Sequence, residues 1–81
     1  MHIGVRISLA RALNSLATFV ELELAVDVVT LVLALPEAAV QQAERVLQLE
    51  REGAEALVEE SHALAVMMLV AGDDLRALCE G

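Results

Sequence analysis

The spacing of apolar and polar residues changes along this chain, and each change marks a segment. From residue 4 to 17, Val5, Leu9, Leu13 and Leu16 recur at helical spacing, while Arg6, Arg11, Asn14 and Ser15 fall largely away from them. That pattern predicts an amphipathic helix of about three turns. Residues 20 to 28 then alternate strictly. Val20, Leu22, Leu24, Val26 and Val28 lie on one side, and Glu21, Glu23, Ala25 and Asp27 on the other. A period of two is the pattern of a half-buried strand. Residues 28 to 35 are nearly all apolar, mostly β-branched or Leu, as in a strand covered on both faces. The expected strands are 19–27 and 28–35.

Pro36 suits the first position of a helix, where its missing N–H is not needed. Ala39, Val40, Ala43, Val46 and Leu47 then form a stripe to be buried, and Gln41, Gln42, Glu44, Arg45 and Gln48 face water. Gly53 follows as a left-handed C-cap. Residues 54–60 read as a short edge strand and residues 62–71, apolar on both faces, as a central strand. Gly72-Asp73-Asp74 reads as a turn whose Asp caps a final short helix over 74–79.

The order is helix, strand, strand, helix, strand, strand. One more strand ahead of the first helix would make the ferredoxin-like βαββαβ pattern. The strand at 62–71 would fill that vacant place, within the chain or in a partner. The expected class is therefore α+β, a ferredoxin-like sheet with two helices on one face, as a single domain over 1–81. The alternative is an all-α helical bundle, a self-assembling structural oligomer with no ligand. Nothing between Val5 and Leu35 forbids one long helix, and Arg11, Asn14, Thr18 and Glu21 keep helical spacing.

Composition adds a partner. The chain has 81 residues, of which 58% are apolar, against roughly 45–50% in ordinary globular domains. That is too much apolar surface for one small core, so a homodimer or higher oligomer is expected. A net charge of −8, with no Lys and five Arg, argues against nucleic acid as a partner. The longest unbroken apolar run, Ala63 to Ala71, is nine residues, and a membrane-spanning helix needs about 20. Cys79 has no second cysteine to pair with, and no signal-peptide core is visible. The expected setting is the cytoplasm, with no membrane partner.

Candidate chemistry is sparse. Glu21 and Asp27 share the polar side of the alternating segment, about 20 Å apart along an ideal strand, too far to chelate one ion. The free N–H groups at the helix start near Gly4 and Val5 would suit a carboxylate. Glu59-x-x-His62 has the spacing of half a di-iron motif, but that chemistry needs two such pairs and further Glu. Cys79 has no His near it in sequence, and there is no Gly-rich phosphate loop. Neither a catalytic residue nor a metal or other cofactor is expected, and the chain is not read as an enzyme.

Two stretches carry a family resemblance. The first runs from Gly4-Val5-Arg6-Ile7-Ser8-Leu9-Ala10-Arg11-Ala12-Leu13 through Val20-Glu21-Leu22. The second runs from Val58-Glu59-Glu60-Ser61-His62-Ala63-Leu64-Ala65-Val66 through Ala71-Gly72-Asp73-Asp74-Leu75. In order and spacing they resemble an ACT domain, and more narrowly the regulatory region of lysine-sensitive aspartokinases. The resemblance implies a non-catalytic regulatory or assembly module whose partners are a second copy, a small amino acid and a kinase catalytic region. It implies an effector site between two units, with His2, Gly4, Val5 and Arg6 on one side and Val20, Glu21, Val26 and Asp27 on the other. The family's Thr-Thr-Ser-Glu run reads Leu24-Ala25-Val26-Asp27 here, keeping only the acid.

Overall fold

A computed structural model describes residues 3–15 and 26–80. Among them are four helices and no strand. They are α1 (Ile3–Asn14), α2 (Val28–Ala34), α3 (Glu37–Glu52) and α4 (Leu57–Glu80). The fold is all-α, the alternative weighed above, and the α+β ferredoxin-like sheet is overturned. The expected strand over 19–27 falls mostly outside the described residues.

The strand expected over 28–35 is α2, and its ends explain why. Asp27 is the N-cap, in extended backbone. Its Oδ1 accepts the Val29 and Thr30 N–H groups at 3.0 and 3.3 Å. Thr30 Oγ1 donates to Asp27 Oδ2 at 2.6 Å. Capping supplies partners to N–H groups that a starting helix leaves free. At the other end Leu35 is extended (φ −63°, ψ 142°), as expected of the residue before a proline.

Pro36 is the N-cap of α3, one position ahead of the expected one, and its carbonyl accepts the Ala39 and Val40 N–H groups. The stripe of Ala39, Val40, Ala43, Val46 and Leu47 is buried as its period requires. Gly53 closes α3 at φ 64°, ψ 30°. Its N–H bonds the Glu50 carbonyl at 3.2 Å and the Ala54 N–H bonds Leu49 at 3.1 Å, which is the Schellman pattern of a helix end.

α4 replaces three expected elements. The edge strand expected at 54–60 is a turn followed by the first residues of this helix, the central strand at 62–71 is its middle, and Gly72-Asp73-Asp74 continues it without a break. An apolar run covered on two sides fits either a strand or a helix, and the 24-residue length of α4 is beyond an ordinary strand. No helix among the described residues is long and apolar enough to cross a membrane.

One apolar cluster joins the four helices. It includes Leu9 and Leu13 from α1, Leu31 and Val32 from α2, Val40 and Val46 from α3, and Leu64 and Met68 from α4. α3 packs along α4 and α1 against α2, while α1 also meets α3 and α2 meets α4. Gln42 Nε2 donates to the Glu60 carbonyl at 3.0 Å, and Arg45 Nε pairs with Glu60 Oε1 at 2.6 Å, pinning the start of α4 to α3.

Candidate functional site

Of the residues expected to hold an effector, the described ones lie in α1 (Gly4, Val5 and Arg6) and at the entry to α2 (Val26 and Asp27). His2, Val20 and Glu21 lie outside the described residues. Gly4 is exposed in the first turn of α1, with open space around it. Val5 lines a shallow hollow between α1 and α3, beside Ser8, Glu44 and Arg51. Val26 packs against the core from its edge.

Arg6 and Asp27 mark opposite ends of α2. Arg6 Nη1 donates to the carbonyls of Leu35 at 2.7 Å, Val32 at 2.9 Å and Leu33 at 3.3 Å. Nη2 stands 3.9 Å from Glu37 Oε2. A cation at a helix C-terminus meets carbonyls that lack intrahelical partners and the negative end of the helix dipole. Asp27 serves the N-terminal end. Its carboxyl is held below its ordinary range, chiefly by the Thr30 hydroxyl and the Thr30 N–H, with partial opposition from desolvation. A hollow of about 220 Å³ beside it is lined by Ala10, Arg11, Asn14, Asp27, Val28 and Val29.

Chemistry-bearing side chains do not converge. Among the described residues no group of three or more His, Cys, Asp or Glu could hold a metal ion. Nor does any buried side-chain nitrogen or oxygen lack a hydrogen-bond partner. Cys79 is a free, exposed thiol near the end of α4. Glu59 and His62 sit one turn apart on the exposed side of α4, not at a junction of strands as their sequence context suggested.

The molecule's most distinctive surface is α4 itself. Its inner stripe, Ser61, Leu64, Met68 and Gly72, is buried. Its opposite side is apolar in the middle, where Val66 is 61% and Val70 56% exposed. Beside these valines runs a groove of about 360 Å³, walled by Val66, Met67, Val70 and Ala71 on α4 and by Pro36 and Ala39 across from it, with Asp74 at its margin. A second hollow continues past Asp74 to Leu75 and Leu78. A helix apolar on two sides is normally covered on both; among the described residues, the other helices cover the inner stripe of α4.

No family model matches this chain. No curated protein or solved structure matches it either. With no strand among the described residues and no family match, the resemblance to ACT domains and aspartokinase regulatory regions is overturned. Among the described residues there is no sheet across which two such units could face each other.

The spacing of Ala63, Val66, Val70 and Ala77 was a signal in the sequence that the strand reading hid. These residues fall three, four and seven apart, the step of a helix seam, whereas a strand brings residues two apart onto one face. Arg6 carried no such signal, because its acceptors lie in residues 32 to 35.

Proposed function

We propose that this chain is a non-catalytic helical assembly module that self-associates through the outer side of α4. The exposure of Val66 and Val70 at the centre of a helix whose opposite stripe is already buried carries this reading. Contiguous exposed apolar surface marks sites of protein association, and the bordering groove widens that surface. The excess of apolar residues over what a small core absorbs supports the same reading.

Sedimentation equilibrium over the micromolar range tests it. The wild-type chain should be a dimer or larger. Val66→Ser/Val70→Ser should stay helical and weaken association by at least about a hundredfold, since each valine loses its burial in both copies. A folded wild-type monomer throughout that range would overturn the reading, as would unchanged association in the double variant.

A further inference from the structure

The outer side of α4 is also charged in a pattern, and the pattern names both the partner and its orientation. Glu59, Ala63, Val66, Val70, Asp73 and Ala77 are all exposed. They succeed one another at steps of four and three, a continuous seam over the length of the helix. The seam is apolar at its centre and acidic toward both ends. His62 flanks it at the N-terminal end, and Arg76 at the C-terminal end, where it pairs with Glu80 at 2.9 Å in an exposed contact.

We propose that the occupant of this seam is the same seam of a second copy, antiparallel, with Val66 opposite the partner's Val70. The inference rests on the self-association proposed above and specifies its geometry. In this register His62 lies beside the partner's Asp73, and Arg76 within reach of the partner's Glu59. The fixed cation of the seam, Arg76, thereby meets an acid of the partner, twice by symmetry. A parallel pairing in the same register sets Glu59 against the partner's Glu59 and Asp73 against the partner's Asp73. Like charges placed directly across an interface are unfavourable, so the acidic ends select the antiparallel arrangement. The two-fold symmetry is self-complementary, as closed dimers require. The small side chains of Ala63 and Ala77 let the two helices approach closely toward the ends of the seam, where the charges pair.

Disulfide trapping tests orientation and register together. In a Cys79→Ser background, Glu59→Cys and Ala77→Cys are made as separate full-length proteins, mixed, and exposed to a mild oxidant. In the proposed register residue 59 of one copy is level with residue 77 of the other, while two copies of residue 59 are about 27 Å apart along the axis at 1.5 Å per residue. Disulfides need Cα atoms within roughly 7 Å. The mixture should give the mixed disulfide in several-fold excess over either homodisulfide, and each protein alone should stay largely uncrosslinked. A second pair, Ala63→Cys with Asp73→Cys, should behave the same way and guards against a local effect of either substitution. Predominant homodisulfides would overturn the antiparallel orientation. No crosslink in a mixture that sedimentation shows to be dimeric would overturn the seam while leaving self-association standing. A folded monomer would remove both.

Discussion

Replacing Arg6 with Ala tests the joint that fastens α1 to the corner between α2 and α3. The guanidinium gives two short hydrogen bonds, to Leu35 and Val32, and a longer one to Leu33. Its side chain is only 16% exposed, and both Leu35 and Val32 are buried, so water is poorly placed to replace it. A hydrogen bond from a charged donor contributes about 1.5–3 kcal/mol. The two short bonds share one nitrogen, and the Val32 carbonyl also accepts the Leu35 N–H at 3.3 Å, so the second bond counts for less than the first. The expected loss is about 2–4 kcal/mol. Domains of this size hold about 4–12 kcal/mol in all, so the loss is a large share. At about 4–8 °C per kcal/mol, the melting temperature should fall by about 10–25 °C. Thermal melts followed by circular dichroism, with all proteins at one concentration, measure it. Two controls isolate the cap. Glu37→Gln removes only the 3.9 Å ion pair, whose acid is 57% exposed, and should change stability by less than about 0.5 kcal/mol. Arg11→Ala removes an exposed arginine from the same helix and should be equally mild. An Arg6→Ala protein that melts with these controls would refute the clamp.

Asp27→Ala should lower the melting temperature at neutral pH, by an amount that shrinks in acid. The native carboxyl is held below its ordinary value of 3.8, so its contribution is full above that value and is lost as pH falls through the lowered one; a gap between wild type and variant that persists unchanged into strong acid would sink the assignment. Leu64→Ala should cost about 2–5 kcal/mol, because Leu64 is fully buried, whereas Val66→Ala at high dilution should cost under about 0.5 kcal/mol. Positions 64 and 66 share a face in a strand and oppose each other in a helix, so equal costs by denaturant titration would contradict α4.

α3 was legible because every level of its sequence agrees. Its buried positions keep one period, Pro36 stands at its start and Gly53 at its end. α2 was not, because Val28 to Leu35 carry no polar period to choose between strand and helix. The deciding signal was the pair Asp27 and Thr30, a side-chain cap between residues three positions apart, which the alternation before it disguised as the last polar step of a strand. For α4 the misleading residues were Gly72, Asp73 and Asp74. They have turn chemistry, yet in a helix Gly72 falls on the buried stripe and both acids on the exposed side. The candidate effector residues were grouped by analogy of order and spacing, and the role of Arg6 depends on a contact across 26 to 29 positions, which no local pattern encodes.

Residues 62–71 suit a buried strand and leave a bare helix side for the same physical reason. A segment apolar on both sides of a strand is, at helical period, apolar on both sides of a helix. The fold covers one of those sides: α2 and α3 meet α4 over the stripe of Leu64 and Met68. For the other side the chain has no described helix left. α1 is engaged with α2 and α3, and its own large side chains Leu9 and Leu13 are already buried. Part of the apolar excess visible in the composition thus lies along the strip through Val66 and Val70. Its acidic ends, Glu59 and Asp73, bear on the choice of partner, because a second α4 lying antiparallel sets Arg76 and His62 against them. The same strip laid parallel opposes acid to acid. Orientation is therefore where the self-association reading is most exposed to refutation, and the mixed disulfide between positions 59 and 77 is the measurement that reaches it.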